Sequence, residues 1–488
     1  MAALRTQDGY RWDANGTTTE GLLTRSVAPS TKHLRSSYDA IVIGAGFAGL
    51  VAARELSKQV GTEILLVEAR DRIGGRTWTS NEMGEDIEMG GTWVHWNQPH
   101  VFSELVHYGL DKALKPTIAS INPAQSLHNF GSGLEDAPAN FLDTIEKIAR
   151  DFFAVDGLTS RELLPWPHDP YRQPALWCKY DSLSAQQRLD QLSLPTKDKE
   201  LFACYVGLFG CCALEDSSFF EILRWYALSG HSIAGVYEHT STYKLGLGGM
   251  TSFARAILAE YTGDRLFSSP VVEINQDGSS AHIVTSGGQK IKANVIISTV
   301  PLNCLSDVKF SPPLSALRSE GARHGHQNKG SKYHIKLGSQ DPLWFATASL
   351  ESHSPYLLAF ADHNGTNEDS KGTYVVVAGK TDGVKDHKDA KSVVDNFKET
   401  FKRDGDVQAY LVHDWATDPF SKGEWSSWAP NAMTKYHSEL QRPHGRVLFA
   451  SADWANGWRG FIDGALESGK SASSSARAIL DATVPARL

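Results

Sequence analysis

Residues 38–70, YDAIVIGAGFAGLVAARELSKQVGTEILLVEAR, constrain the fold more than any other stretch. Ile41-Val42-Ile43 is an uninterrupted apolar run, as expected of a parallel strand buried on both faces. Leu50, Ala53 and Leu56 recur at helical spacing, and Ile64-Leu65-Leu66-Val67 predicts a second strand. Between them, Gly44-Ala45-Gly46-Phe47-Ala48-Gly49 fits G-x-G-x-x-G in the strand–turn–helix setting that gives the motif meaning. Gly44 permits the tight turn, Gly46 lets the backbone approach a pyrophosphate, and Gly49 lets helix and strand pack closely. Free N–H groups and the dipole at the helix start favour phosphate there. Glu68 ends the second strand 19 residues after Gly49, where its carboxylate can accept hydrogen bonds from adenosine ribose hydroxyls. The stretch therefore predicts an α/β dinucleotide-binding unit.

The remaining chain is too long for that unit alone. With 488 residues, two or three domains are expected. Residues 1–37 are polar and turn-rich, a tail or strap. Residues 97–240 read as helices and loops, broken at Pro165-Trp166-Pro167. Strand patterns follow in RLFSSPVVEI, SSAHIVTSGG and QKIKANVIISTVP, the first pair turning at Asp277-Gly278. KYHIKLG, PYLLAFAD, TYVVVAGK and VQAYLVHDW are further strand candidates, with a helix near 388–402. RVLFASAD and a helix from about Gly460 to Ala482 close the chain. A discontinuous dinucleotide domain is expected from 38–96, 246–304 and 421–488, and a substrate domain from 97–245 and 305–420.

A net charge of −8 gives no basic face for nucleic acid. Five cysteines (Cys178, Cys204, Cys211, Cys212, Cys304) are too few and too irregular for a disulfide framework and point to a reducing compartment. The longest apolar stretch, around Leu201 to Ala213, falls short of the roughly 20 residues a membrane helix needs. His324, His326 and His334 lie close together but lack a ligand set with zinc spacing, so no metal is expected. Thirteen tryptophans, several of them clustered, fit a large aromatic-lined site.

The continuation past the glycine turn narrows the cofactor. EARDRIGGRTWTS, followed by MGGTWVHW, resembles the flavin-containing amine oxidase superfamily, and the match narrows to monoamine oxidases. Within these it is most similar to the soluble peroxisomal enzymes of filamentous fungi. The resemblance runs from about Tyr38 to Leu488 and is sparse over 305–410. It implies a two-domain mixed α/β fold: a Rossmann-type FAD domain joined to a substrate domain of mixed sheet and flanking helices. For FAD it implies contacts from Gly44, Gly46, Phe47, Ala48 and Gly49, then from Glu68, Ala69 and Arg70. Gly74, Gly75 and Arg76 would meet the pyrophosphate, and Gly90, Gly91, Thr92 and Trp93 would follow. Val271 would cover adenine. Asp453, where relatives carry glutamate, would reach the ribityl chain directly or through water, beside Phe461 and Ile462.

Animal members hold FAD through a cysteine in an SGGCY segment. Here the matching residues are Ser421-Lys422-Gly423-Glu424-Trp425, and the carboxylate of Glu424 cannot form the thioether, so noncovalent FAD is expected. Trp425 and Phe461 match the aromatic cage in front of the flavin, whose walls would confine the amine and exclude water. Lys332 matches the lysine on the N5 side, with Lys329 and Lys336 as alternative registers. Phe209, Cys211, Trp225 and Leu245 are candidate cavity walls.

The resemblance implies oxidation of small aliphatic or arylalkyl amines to imine and then aldehyde, with O2 reduced to H2O2. Polyamines, L-amino acids or a specialised amine metabolite are alternative substrates. A noncatalytic FAD-binding scaffold is the reading from a different class. The chain ends Ala486-Arg487-Leu488, a variant of the peroxisomal SKL signal, implying an import receptor and the peroxisomal matrix. A homo-oligomer stays open.

Overall fold

The computed structural model describes every residue except 1, 130–132, 139, 350–351, 369, 382, 404 and 484–488. Two sheets organise the chain. The first has a parallel core in the order Asp264–Leu266, Ile64–Val67, Ser37–Ile43, Lys290–Ser298 and Val447–Phe449. Lys290–Ser298 forks. Its first half pairs antiparallel with Ala281–Thr285, extending the sheet through Val271–Gln276 to Lys309–Ser311.

The strands are apolar on both faces because both faces are covered. Ala40, Val42, Leu66 and Ile297 pack against helices Phe47–Ser57, Gly249–Glu260 and Ile462–Thr483. The alternate residues Ile41, Ile43, Leu65 and Val67 enter a second core, which continues into the helical wall around Phe219, Tyr226 and Trp454.

The second sheet has nine strands: Leu134–Asp136, Gln125–Asn129, Trp344–Ala348, Tyr356–His363, Thr373–Gly379, Ser331–Leu337, Val407–His413, Tyr10–Asp13 and Thr18–Glu20. It is mixed, since Gln125–Asn129 runs parallel to Trp344–Ala348 and the other pairs run antiparallel. One face packs Val375, Val377 and Ala359 onto helix Ala390–Phe401. The other carries Phe345, Phe360 and Val376.

The result is a mixed α/β fold with Rossmann-type and substrate subdomains. Three features depart from the expected organisation. The N-terminal residues are strands: Tyr10–Asp13 and Thr18–Glu20 extend the substrate sheet, and Leu23–Thr24 pairs with Thr79–Ser80. RLFSSPVVEI is two strands, because a kink through Phe267–Pro270 separates Asp264–Leu266 from Val271–Gln276. The dinucleotide-side sheet continues to Lys309–Ser311, past the boundary expected at 304.

Candidate active site

A single cavity of about 540 Å³ runs from the first glycine turn to the substrate sheet, within the range of ligand sites. Bare backbone builds its narrow end. Gly44 has φ +103°, which admits the turn, and a Cβ on Gly49 would strike the Gly44 carbonyl. Gly49 is therefore a packing residue and does not line the cavity. The second glycine turn docks on the first: Gly74 N–H donates to the Ala45 carbonyl at 2.8 Å. A Cβ on Gly75 would lie 3.2 Å from the Gly46 Cα. Gly44, Gly46, Phe47 and Ala48 line this end with Glu68, Ala69, Arg70, Gly74, Gly75 and Arg76.

Glu68 accepts from the Ala45 N–H at 2.5 Å and the Arg70 N–H at 2.9 Å. Burial raises its carboxyl against those bonds. The Arg70 side chain is structural, pairing with Asp418 at 2.8 Å and Asp8 at 3.3 Å. Arg76 binds the Glu424 carbonyl at 2.6 Å and Asp453 at 2.7 Å. Asp453 departs from its expected role. It is fully buried and also accepts from the Leu302 N–H, so its carboxylate ties loops together and does not line the cavity. Val271 lines the cavity between Pro270 and Val272, and Ile462 lines it at the start of the last helix.

Gly90, Gly91, Thr92 and Trp93 lead to the wide end. There, Lys332 donates to the Gly90 carbonyl at 2.9 Å and the Thr92 hydroxyl at 2.6 Å, with its ammonium 5.1 Å from the Trp93 ring. Strand register pairs Lys332 with Ala378, and Ala378 in turn with Leu358. All three line the cavity. Lys329 is exposed, and Lys336 lies over Tyr374, so the register question resolves to Lys332. Burial lowers its ammonium pKa and raises the Glu88 carboxyl, each opposed by the charge of the other.

Trp425 and Phe461 line the same chamber. Trp425 is held by its indole N–H to the Phe209 carbonyl at 2.8 Å. Phe461 packs on Trp225, ring centroids 4.7 Å apart, and on Trp458 at 5.1 Å. Phe209 stacks on Trp225, and both line the chamber with Cys211. Leu245 is a correction. Its strand turns it into the core formed with Val94, Val101 and Met250, away from the cavity.

Sequence reasoning missed the sheet-borne walls Phe345, Leu358, Phe360 and Val376. YLLAFAD and YVVVAGK are continuous apolar runs, which show strands buried on both faces but not which face meets a cavity. Trp428, three residues after Trp425, is buried and tied in on two sides. Its indole N–H donates to the Asp453 carbonyl at 3.1 Å, and Arg459 stacks on its ring at 4.6 Å.

Among the described residues, two clusters have metal-like compactness. In one, His95 Nδ1 accepts the Asn97 N–H, so its neutral form carries the proton on Nε2, facing Glu238 at 3.7 Å. In the other, Asp8 and Asp418 are already engaged by Arg70 and Arg72. Neither offers a free ligand set.

A cradle of bare backbone at a helix start, opening into an aromatic chamber with one buried lysine, defines a flavin-type dinucleotide enzyme acting on a small organic molecule. The flavin containing amine oxidoreductase family matches residues 47–477, and the chain belongs to it. A pseudooxynicotine dehydrogenase of a Pseudomonas species is 36% identical over 455 residues, covering 93% of this chain and 88% of the relative. A nicotine dehydrogenase of Pseudomonas putida is 30% identical over 448 residues, covering 91% and 89%. Putrescine oxidase bound to putrescine superposes with a TM-score of 0.75 at 20% identity, over 91% of this chain and 99% of that one. The chain is an enzyme that uses FAD to oxidise an amine. These two relatives are bacterial nicotine-type enzymes, and monoamine oxidase B of the pig also matches, at 26% identity, so the relatives do not single out the fungal branch.

Proposed function

We propose that this chain oxidises a specialised amine metabolite, with nicotine and pseudooxynicotine the first compounds to try, in preference to a simple aliphatic or arylalkyl amine. One observation carries this reading. A chamber walled by Phe209, Trp225, Phe345, Phe360, Trp425 and Phe461 suits an amine bearing a ring, and the two nicotine-related enzymes match this chain over more than nine-tenths of its length.

Bound FAD supplies the two-electron oxidation, with O2 as final acceptor. The chain's own residues confine and desolvate the amine. Trp425 is locked to the Phe209 carbonyl, and Lys332, with two protons committed, keeps a third available to the chamber. A panel of nicotine, pseudooxynicotine, benzylamine, hexylamine and putrescine tests the reading, with both peroxide release and anaerobic flavin bleaching measured. The nicotine compounds are expected to lead. A higher kcat/KM for benzylamine or hexylamine would restore the simple-amine reading, and bleaching without peroxide would make the enzyme a dehydrogenase.

The proposal extends to noncovalent FAD, because a glutamate stands where animal relatives have the bonding cysteine. Acid precipitation should release the chromophore; colour left on the pellet would refute this. The likeness to soluble peroxisomal enzymes of fungi belongs here too, supported by Ala486-Arg487-Leu488 and a peroxide product. Those residues lie outside the described ones. Deleting the tripeptide from a tagged protein should leave it cytosolic, whereas continued import would count against the receptor.

A further inference from the structure

Lys332 is buried, and among the described residues no carboxylate lies within ion-pair distance of it. The acids around it have other partners. Glu88 accepts from the Thr79 hydroxyl at 3.1 Å and the Met250 N–H at 2.7 Å, and Asp362 pairs with Lys244. A buried ammonium without a counter-ion is held by neutral acceptors or loses its proton. Two acceptors hold this one: the Gly90 carbonyl at 2.9 Å and the Thr92 hydroxyl at 2.6 Å. The hydroxyl spends its own proton on the Gly90 carbonyl, 2.9 Å away, so toward Lys332 it can only accept. The Trp93 ring closes a third side, 5.1 Å from the ammonium, and is fixed in turn by its indole N–H on the Thr117 hydroxyl at 3.1 Å. The backbone of this short segment is pinned as well. Gly91 N–H donates to the Arg76 carbonyl at 3.1 Å, and a Cβ on Gly90 would strike that same carbonyl.

We propose that Thr92 is the positioning residue of Lys332: its hydroxyl, backed by the Gly90 carbonyl, holds the lysine nitrogen so that its one uncommitted position faces the cavity during amine oxidation. A lysine nitrogen has four tetrahedral positions. One is the bond to Cε, and two N–H bonds are spent on Gly90 and Thr92. The fourth carries a proton in the ammonium and a lone pair in the amine, and the clamp aims it the same way in both forms. Any residue at position 90 would offer a carbonyl. The hydroxyl is a matter of side chain, so Thr92 is where the amino-acid sequence sets this geometry. Both bonds are stronger to the charged form, so the clamp also favours the ammonium. The inference rests on the amine-oxidation reading and gives that reaction the residue that aims its lysine.

The charged surroundings leave this hydroxyl something to do. Burial lowers the Lys332 ammonium; the charges of Glu88, Asp362 and Glu424 oppose the fall, and Lys244 adds to it. The Glu88 and Glu424 carboxyls are themselves raised by burial and lose their charge on the acid side. Asp362 stays ionised, because Lys244 outweighs its burial. His334, two residues along the same strand, is held down to about 3 by burial and is neutral. Lys332 gives up its proton on the alkaline side, and a bond that favours the ammonium moves that step upward.

The test follows the ammonium itself. FAD-loaded enzyme, isotope-labelled at lysine Cε, is titrated with pH by NMR, and the Lys332 signal is identified by its loss in Lys332→Met. Wild type should titrate below the ordinary lysine value, about 10.4. Thr92→Val keeps the shape of the side chain but cannot accept a hydrogen bond. Its midpoint should fall by about one pH unit, the scale of a hydrogen bond to a charged group. Thr92→Ser should restore it. With the best amine of the panel, the alkaline limb of kcat should move down by the same step in Thr92→Val, with KM at the optimum within about twofold of wild type. Equal midpoints in wild type and Thr92→Val would overturn the proposal, as would a moved midpoint with the kcat profile left in place. Loss of bound FAD from Thr92→Val, read from absorbance, would make the hydroxyl a cofactor ligand and overturn it too. If no amine turns over, the substrate reading fails, while the titration still decides whether Thr92 holds Lys332.

Discussion

Trp425 and Phe461 reach one chamber from two kinds of backbone. Trp425 follows Lys422 and Gly423, both at positive φ, in a segment whose bonds go to Asn303, Asn328 and Arg76 and not to any ladder. Phe461 follows Gly460 at φ +85° and opens the last helix, its carbonyl accepting from the Ala465 N–H. Truncating either wall leaves these backbone anchors in place. Trp425→Ala and Phe461→Ala should therefore keep FAD but lose about 10²-fold in kcat/KM, the scale of a misplaced substrate; unchanged steady-state kinetics in both would remove the cage. At the other end, Gly75→Ala would set a side chain against Gly46 at φ +59°. Flavin content per chain, read from absorbance, should fall sharply while the far-ultraviolet circular dichroism stays. Single residues in the glycine turns were legible because each satisfies a backbone demand that few residue types meet. Leu245 and Asp453 were not. Whether a leucine faces core or cavity, and whether a carboxylate is already paired, depends on neighbours distant in sequence.

Helix Phe219–Leu228 and the loop before Phe461 act together through a buried triad. Glu221 pairs with Arg224 at 2.9 Å and Arg459 at 2.5 Å, and all three are buried. The triad holds Trp225 against Phe461 and Arg459 against Trp428. Glu221→Ala would leave two buried guanidinium groups without their counter-charge and should cost about 3–5 kcal/mol, measured by denaturant unfolding. The Arg76–Asp453 pair joins the second glycine turn to the C-terminal segment. Burial alone would raise the Asp453 carboxyl, but Arg76, His326 and the Leu302 N–H outweigh it and hold it below its ordinary value. A depressed carboxyl stabilises the fold above its unfolded pKa, about 3.9, and that stability is lost as pH falls through the folded value. Asp453→Asn should remove this part of the acid destabilisation. A variant with the wild-type slope below about pH 4 would show that the pair contributes none of it. Most strands and the closing helix were legible from apolar period. The lining face of the substrate sheet was not, because its strands are apolar on both faces and so do not show which one meets the cavity.

Across the whole molecule, the N-terminal residues bind the two sheets together. Tyr10–Asp13 extends the substrate sheet, and Leu23–Thr24 pairs beside the second glycine turn. Asp8 sits between them and neutralises Arg72, which is fully buried. Deleting residues 2–24 should lower Tm by several degrees and release FAD, since it leaves Arg72 unpaired and frees an edge of the substrate sheet. A truncated chain with wild-type melting and flavin content would make the strap dispensable. By itself the sequence determined the dinucleotide half and the family, because strand, turn, helix and acceptor carboxylate lie within some thirty consecutive residues and their chemistry is local. Only the tertiary structure decided the chamber. Its walls come from a helical wall, a substrate-sheet face and two pinned loops, residues far apart in sequence that meet only when the chain is folded.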